Sequence, residues 1–254
     1  MGAGHSHALY VHEHSPVHSL APETKIVGAF GLVSSFAVTP RDAVWAFGLY
    51  ALLVAGLVVA SRIGFGFVAL RLLAITPFVI FALFVPLVAG GERTELWGVS
   101  VSIEGLWGAW NIFIKAVLGA SVSIGLTATT EIPDIIRGLG KLRVPALFTS
   151  IAMFMVRYLE LISDELRRMR VAMTSRGYDP HWFYQARPIA SSAGALFIRS
   201  YERGERVHAA MLSRGFDGEI PDLGHRSAAP KEWVMVGLVV AASGLVAVAA
   251  LVMT

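Results

Sequence analysis

The stretch of residues 233–253 constrains the fold more than any other, because it contains 21 successive residues without a charged side chain. A helix of about 20 apolar residues is long enough to cross the hydrocarbon core of a bilayer. The stretch therefore predicts a transmembrane helix. Only 15% of the 254 residues are charged, against about a quarter in soluble domains, so the composition as a whole also indicates a membrane protein.

Further apolar stretches precede it, at residues 26–38, 43–60, 72–90 and 105–130. The first is short, so its helix is expected to begin near Glu23, with Lys25 reaching toward the interface. The intervening segments are predicted to be a turn at 39–42, a short interfacial segment at 61–71 and a loop or short hairpin at 91–104. These predictions give an all-α polytopic membrane protein with about five transmembrane helices.

Most of the charge lies in one block, residues 131–231, which holds 15 Lys and Arg against 11 Asp and Glu. Within it, residues 145–156 are apolar and lead directly into charged sequence, which predicts one long helix, half buried and half solvated. A sixth span results if 144–162 crosses the bilayer. The predicted division is a polar, His-rich segment (1–25), four spans (26–130), a charged region (131–231) and the last span (232–254).

The distribution of Lys and Arg predicts the orientation, since loops rich in these residues stay in the cytoplasm. The basic segment at 61–71 and the charged block are then cytoplasmic, together with the N-terminus. The acidic loop at 91–104 and the C-terminus lie outside. The predicted location is the plasma (inner) membrane.

A repeat within the charged block carries the clearest functional signal. An acidic residue, an arginine four positions later and the string Ala-Met-x-Ser-Arg-Gly-aromatic-Asp occur twice, 38 residues apart. The aligned residues of the first copy are Asp164, Arg168, Met173, Ser175, Arg176 and Gly177, and those of the second are Glu202, Arg206, Met211, Ser213, Arg214 and Gly215.

The repeat predicts two helices with matched ends. Acid and arginine four residues apart form a pair on one helix face, and glycine after the last turn takes the positive φ of a C-terminal cap. One Arg-Gly end could be a helix terminator and nothing more. Two ends that share their flanking residues favour a pair of equivalent sockets on a dimeric or pseudo-dimeric partner, to which an arginine fork can donate hydrogen bonds.

The duplicated Ser-Arg-Gly ends, followed by a last membrane helix, resemble the T component of energy-coupling factor (ECF) transporters, and within it the cobalt-type CbiQ proteins. The polar opening at residues 14–25 is similar too. The family's usual triplet is Ala-Arg-Gly. The resemblance implies that two coupling helices bind two ATPase subunits through Arg176 and Arg214, while a membrane-embedded subunit binds the substrate, cobalt or nickel. It also implies that Gly177 and Gly215 allow tight helix tips.

Two other features invite a functional interpretation. The N-terminal segment holds five histidines, and His14 and His18 are spaced to bind a metal such as cobalt, nickel or zinc if the segment is helical; a His-rich tail without that role is the alternative. Lys115, with Asn111 one turn earlier, lies inside an apolar span. Intramembrane charges are often functional, but pairing across the helix bundle or snorkelling is favoured here.

The sequence predicts no catalysis by this chain. It has no cysteine, no phosphate-binding loop with the Walker lysine and no nucleophile motif, so no cofactor is expected and ATP hydrolysis is assigned to partners. Nucleic acid is not an expected partner, and the lipid bilayer is. Two alternatives stay open: the T component of a vitamin importer, and an integral-membrane enzyme acting on anionic lipid through Arg167, Arg168, Arg170 and Arg176.

Overall fold

A computed structural model describes residues 10, 11, 13, 15–90, 93–96, 99–178, 187–218 and 227–253. The chain divides into two compact units, one formed by residues 1–139 with 225–254 and the other by residues 140–224. The first is called the bundle unit below, and the second is called the hairpin unit.

The bundle unit consists of helices and one small two-stranded sheet. Its elements are α1 (Pro22–Val38), α2 (Val44–Ala60), α3 (Phe65–Leu72), α4 (Thr76–Val88), β1 (Arg93–Leu96), β2 (Val99–Ser102), α5 (Ile103–Thr129), α6 (Ile132–Lys141) and α9 (Pro230–Met253). Strands β1 and β2 pair antiparallel, with Arg93 opposite Ser102. This pairing confirms the short hairpin expected at 91–104.

The segment at 61–71 differs from the prediction of a separate interfacial stretch. Helix α3 begins at Phe65 and continues through a 3₁₀ turn, Leu73–Ile75, into α4. Together they form 24 residues, Phe65–Val88, that are long and apolar enough to cross a membrane. The helix therefore starts before Arg71, whose guanidinium lies 3.9 Å from the Phe67 ring centroid in a cation–π contact.

Four helices of the described chain have the length and apolar composition of membrane spans: Phe65–Val88, Ile103–Thr129, Ala146–Ser175 and Pro230–Met253. Helix α2 is apolar but shorter, with 17 residues, and α1 has the same length. The protein is thus an all-α polytopic membrane protein, as predicted.

The core of the bundle unit lies where α1, α2, α5 and α9 meet. Phe36, Phe47 and Tyr50 are fully buried there, and the Phe36 and Tyr50 rings are 4.7 Å apart between centroids. Helices α1 and α9 pack closely because Gly31 faces Val240. A Cβ at position 31 would lie 2.6 Å from a Val240 methyl group. Small residues permit such close approach between membrane helices.

Lys25 is buried, which corrects the prediction that it snorkels to the interface. Its ammonium donates to the carbonyl oxygens of Thr129 (2.9 Å) and His18 (3.2 Å) and to the Thr130 hydroxyl (3.2 Å). Thr129 is the last residue of α5. The lysine therefore stabilises a helix C-terminus, where carbonyls lack intrahelical donors and the dipole favours a cation.

Two acidic side chains link the starts of α1 and α9 reciprocally. Glu232, in the first turn of α9, accepts a hydrogen bond from the backbone amide of Ala21, the N-cap residue of α1 (3.1 Å). Glu23, in the first turn of α1, accepts from the Ala228 amide just before α9 (2.8 Å). Each carboxylate thus satisfies amides at or near the other helix's start, where a helix favours negative charge.

Lys115 forms a contact across the bundle, as favoured by the sequence. Its ammonium donates to the Ala37 carbonyl at 2.9 Å, in the last turn of α1. The intramembrane lysine is therefore bonded to the C-terminal end of a neighbouring helix.

The hairpin unit consists of two long helices, α7 (Ala146–Ser175) and α8 (Arg187–Leu212). Contacts pair Met173 with Ser192 and Glu165 with Arg199, so the helices run antiparallel. The single long helix predicted to start near residue 145 is confirmed as α7. Ser150 is its one buried residue among those described, and its apolar first half gives it the composition of a candidate membrane span.

Candidate functional site

The first Ser-Arg-Gly string forms the C-terminal end of α7. The Gly177 amide donates to the Thr174 carbonyl (2.9 Å), and the Tyr178 amide donates to the Met173 carbonyl (3.1 Å). Gly177 has a φ of +80°. These two bonds and the left-handed glycine are the features of a Schellman motif. The predicted glycine cap is confirmed.

The second string repeats this geometry at the end of α8. The Gly215 amide donates to the Leu212 carbonyl (3.0 Å), and the Phe216 amide donates to the Met211 carbonyl (3.0 Å). Gly215 has a φ of +83°. The backbone hydrogen bonds match those of the first copy position by position. The sequence repeat therefore encodes two copies of one helix end.

The flanking residues of the repeat follow from this motif. A hydrophobic contact between the third residue from the helix end and the second residue after the cap often accompanies a Schellman motif. Met173 and Tyr178 occupy those positions in the first copy, and Met211 and Phe216 occupy them in the second; all four are half-buried. Capping thus accounts for the repeated methionine, glycine and aromatic residue.

Capping does not account for the arginines. Arg176 and Arg214 are both exposed. Among the residues that the structure describes, no hydrogen bond or ion pair joins either guanidinium to a partner. Each guanidinium thus carries five N–H donors for which the described residues provide no acceptor. These two exposed side chains are therefore candidates for contact with a second protein.

The serines of the repeat bond to their own helices. The Ser175 hydroxyl donates to the Val171 carbonyl (2.9 Å), and the Ser213 hydroxyl donates to the Ala210 carbonyl (3.0 Å). Their side chains use their protons locally, as serines in helices often do. Ser175 and Ser213 stand where the usual triplet, Ala-Arg-Gly, has alanine. Their hydroxyls bond within their own helices, so serine at these positions is compatible with the capped helix ends.

The predicted acid–arginine pairs are present in one copy only. Arg206 lies 3.9 Å from Glu202, four residues earlier, as expected. Arg168 instead bonds to Glu165 at 2.9 Å, three residues earlier, which corrects the pairing with Asp164. The reason lies across the hairpin: Arg199 of α8 lies 2.6 Å from the same carboxylate. Glu165 therefore links the two helices, and the sequence pattern gave no sign of it.

The two tips lie at opposite ends of the hairpin unit. The antiparallel contacts place Gly177 beside the start of α8, whereas Gly215 follows the end of α8. Helix α8 has 26 residues, which at 1.5 Å per residue separates the tips by about 39 Å along its axis. The site is thus two matched arginine tips held apart by a helix pair.

Sequence reasoning missed the groove between α7 and α8, which encloses about 360 Å³. Phe154 and Tyr158 line it from α7, and Gly204, Val207 and Met211 line it from α8. The aromatic rings at 154 and 158 stack with their centroids 6.4 Å apart. Apolar residues recur at three- and four-residue intervals on both helices, and this spacing is the signal that indicates a shared face.

The histidine prediction falls partly outside the described residues, because His14 is not among them. His18 is bonded at both ring nitrogens: Nδ1 lies 2.6 Å from the Ser15 hydroxyl, and Nε2 lies 3.1 Å from the Val11 carbonyl. Burial lowers the pKa of its imidazole. Within the described chain no three His, Asp or Glu side chains form a metal-binding group, so a metal at His18 would have to replace these bonds.

Sequence comparisons relate this chain to known proteins. Residues 13–225 match the family described as cobalt transport protein, CbiQ. The energy-coupling factor transporter transmembrane protein EcfT of Thermanaerovibrio acidaminovorans is 30% identical, over 93% of this chain and 93% of its own length. The protein of the same name from Thermotoga maritima is 25% identical, over 84% of this chain and 81% of its own length.

An uncharacterised protein of Methanocaldococcus jannaschii is 31% identical over 48% of this chain and 42% of its own length. The chain covers less than half the length of several such curated relatives. The family match spans most of the chain, however, and includes both arginine tips. The chain therefore belongs to the cobalt transport protein (CbiQ) family, whose relatives include transmembrane proteins of energy-coupling factor transporters.

Proposed function

We propose that this chain is the transmembrane scaffold of an ATP-driven ECF importer, and that it couples two ATPase subunits to a membrane-embedded substrate-binding subunit. The observation that supports this most is the pair of exposed, identically built arginine tips at opposite ends of the hairpin unit. Two matched tips suit two equivalent receptors, and a dimer of ATPase subunits offers two equivalent surfaces about one axis.

Each tip is suited to bind a carboxylate or exposed carbonyls. The guanidinium is a planar fork that can donate two parallel hydrogen bonds to a carboxylate. The left-handed glycine ends each helix directly after the arginine, so the arginine stands in the last turn of its helix. Arg176 and Arg214 are therefore proposed to anchor the two coupling helices, α7 and α8, in the ATPases.

The hairpin unit then acts as a mechanical link. A nucleotide-dependent change in the ATPases can be transmitted only if the two states interact differently with the tips. Glu165, bonded to Arg168 of its own helix and to Arg199 of α8, ties the helices together between the tips. Movement of one tip is thereby passed to the other helix. The chain itself has no catalytic role in this scheme.

The proposed substrate is cobalt or nickel. The family match is described as cobalt transport, and a relative of Rhodobacter capsulatus named cobalt transport protein CbiQ is 26% identical over about half of this chain. The substrate site is assigned to the partner subunit. The N-terminus and the coupling region with its two arginine tips are proposed to face the cytoplasm, and the C-terminus to lie outside. The apolar first half of α7, a candidate span by length and composition, is the part of the hairpin unit that can enter the membrane.

The test is copurification with transport. A tagged chain is coexpressed with its ATPase and substrate-binding subunits, and the wild type is compared with the double variant Arg176→Ala, Arg214→Ala. Truncating one partner of a buried charge pair costs about 2–5 kcal/mol, so the double variant should retain less than about a tenth of the ATPase. Uptake of cobalt and of nickel should fall in parallel.

The matched control is the double variant Arg167→Ala, Arg170→Ala. It removes the same charge from exposed positions on α7 that lie before the tip, and it should copurify and transport like the wild type. Normal ATPase binding and uptake in the tip variant would reduce the repeat to two helix caps. Normal coupling with vitamin uptake and no metal uptake would keep the scaffold and overturn the substrate.

A further inference from the structure

The bundle unit contains an internal cavity that the coupling mechanism does not use. It encloses about 280 Å³ near the starts of α1 and α9. Helices α1, α2, α5 and α9 line it, together with Pro16, Val17 and Leu20. Small residues create the space: Gly28, Ala29, Ser61, Ser121 and Gly125 all lie in its wall. A Cβ placed on Gly125 would meet no atom within 4 Å.

The wall is mostly apolar, and the hydroxyl groups that line it use their protons within the protein, so that they keep only acceptor capacity. Each hydroxyl donates to a backbone carbonyl three or four residues earlier in the chain. These pairs are Thr24 with Ala21 (2.8 Å), Ser61 with Leu57 (2.7 Å), Ser121 with Val117 (2.7 Å) and Thr129 with Gly125 (2.8 Å). The Lys25 ammonium is engaged by oxygen atoms of His18, Thr129 and Thr130.

Such a lining disfavours water and polar solutes. A buried water typically needs two to four polar partners, whereas apolar cavities stay dry and take up apolar molecules. An apolar cavity of about 150 Å³ already holds benzene. The cavity of this protein is larger than that, so it can accommodate several carbons of a hydrocarbon chain.

The cavity reaches the surface at Pro16, before α1, and at a mouth between α2 and α9. Ala60, at the end of α2, and Met235, near the start of α9, line the cavity and are exposed. Toward the other end of α2, the Tyr50 hydroxyl donates to the Ser243 carbonyl of α9 at 3.2 Å, which brings the two helices together there. Helices α2 and α9 are thus joined at one level and leave an opening at another.

Apolar surface surrounds this mouth. Val59 is 61% exposed on α2, and Val234 and Leu238 are 63% and 66% exposed on α9. In a multi-pass membrane protein, such helix faces contact lipid tails. The cavity is therefore continuous with a surface that acyl chains already cover.

We propose that the cavity is a binding site for one acyl chain of a bilayer phospholipid, which enters between Ala60 and Met235. The match rests on the dry lining, the volume and the opening onto lipid-facing surface. It concerns the bundle unit alone and does not depend on the proposed coupling function.

Photo-crosslinking in vesicles tests the proposal with the purified full chain. The probe is a phosphatidylcholine that carries a diazirine in one acyl chain, and peptide mass spectrometry locates the adducts. In the wild type we expect labelling of the cavity walls, on the peptides that contain residues 28–32 and 57–61. A parallel sample with a free diazirine fatty acid distinguishes a phospholipid chain from a loose fatty acid.

The variant Gly125→Leu places a branched side chain in the cavity, and the control Gly119→Leu adds the same side chain elsewhere on α5. A Cβ on Gly119 also meets nothing within 4 Å, and Gly119 does not line the cavity. Filling the space with leucine should lower cavity labelling at least about fivefold, whereas Gly119→Leu should leave it unchanged. Labelling of the outer face of α4 should stay the same in both.

Three results would overturn the proposal. They are adducts confined to outward-facing helix surfaces, cavity labelling unaffected by Gly125→Leu, and cavity labelling by the fatty acid alone. If Gly125→Leu does not yield a folded protein, Ala29→Leu fills the same cavity from α1 and is judged by the same labelling ratio.

Discussion

The bundle unit and the hairpin unit place their apolar side chains differently, although both are built from long helices. In the bundle unit Phe36, Phe47 and Tyr50 are fully buried. In the hairpin unit α8 has no buried residue among those described, and α7 has one. Phe148 and Phe197 are 63% and 71% exposed. The bundle thus contains its own core, whereas the hairpin does not.

The two units also differ in whether their charged side chains are buried and in what these side chains bind. The bundle unit buries Glu23, Lys25 and Glu232 and uses each to satisfy backbone groups at a helix end. The hairpin unit leaves Arg176 and Arg214 exposed at ends that are already satisfied by glycine caps. Charge in the bundle therefore holds helices together, and charge in the hairpin is available to a partner. This contrast supports the proposed scaffold with a partner-binding arm.

The largest expected difference between the two units is in their rates of amide hydrogen exchange, and its absence would contradict the contrast in burial. In the chain alone in lipid nanodiscs, amides of α8 should exchange at least about 100-fold faster than amides of α1 and α5, because segments with few buried contacts open locally at low cost. Exchange read by mass spectrometry after proteolysis resolves the helices. Equal protection of α8 and α5 would mean that the hairpin is stable by itself.

Adding the ATPase subunits sharpens the same comparison. Protection should then rise in α7 and α8 and stay constant in α1 and α5, because binding to the folded state stabilises only what it contacts. A rise confined to the bundle unit would contradict the assignment of the hairpin unit as the ATPase-binding part.

Lys25→Met tests the buried charges of the bundle unit. The substitution keeps an unbranched side chain but removes the donor of three hydrogen bonds. It should lower the free energy of unfolding by about 1.5–3 kcal/mol, the usual contribution of hydrogen bonds to a charged group. Unfolding in mixed micelles by titration with denaturing detergent, followed by circular dichroism, measures this quantity.

Lys231→Met is the control for that measurement. Lys231 is exposed at the start of α9, so its loss should change stability by less than about 0.5 kcal/mol. If both lysine variants are equally stable, the bonds around Lys25 are not what holds α1 to α5.

In the bundle unit, the sequence predicted the positions of the helices better than it predicted the contacts of the polar side chains. Apolar length alone located the helices of residues 43–60, 105–130 and 233–253 within a few residues, because a bilayer forces each span to bond its own backbone. Lys25 was placed wrongly, since a lysine next to an apolar stretch is equally compatible with snorkelling and with capping another helix. The acceptor, Thr129, lies 104 residues away, and no local pattern reports such a contact.

The repeat was predictable for the opposite reason. A Schellman end is determined by about six consecutive residues, so Gly177 and Gly215 could be assigned their conformation from sequence. The cross-helix bond of Glu165 to Arg199 was not predictable, because it depends on how α7 and α8 align. Pairing Arg168 with Asp164 failed for the same reason: Arg199 draws the Glu165 carboxylate into a contact that also attracts Arg168.

Substitution of the two cap glycines should give the smallest effect. It tests the backbone conformation of the tips separately from their side-chain contacts. Gly177→Ala and Gly215→Ala should each destabilise the helix end by about 1–2 kcal/mol, since a residue with a Cβ resists the left-handed region. No atom lies within 4 Å of a Cβ at either position, so backbone strain is the only expected cost. Hydrogen exchange of the last turn of α7 and of α8 reports the local opening free energy.

Gly194→Ala is the matched control on the same helix pair. Gly194 lies inside α8, with open space around a Cβ and without the positive φ of the two caps. Alanine there should stabilise the helix by roughly 1 kcal/mol, because glycine is a poor helix former. The same chemical change thus has opposite signs at the tip and in the helix interior. If all three variants shift exchange in the same direction, the tips are not held in the left-handed conformation, and the fixed presentation of Arg176 and Arg214 is lost with it.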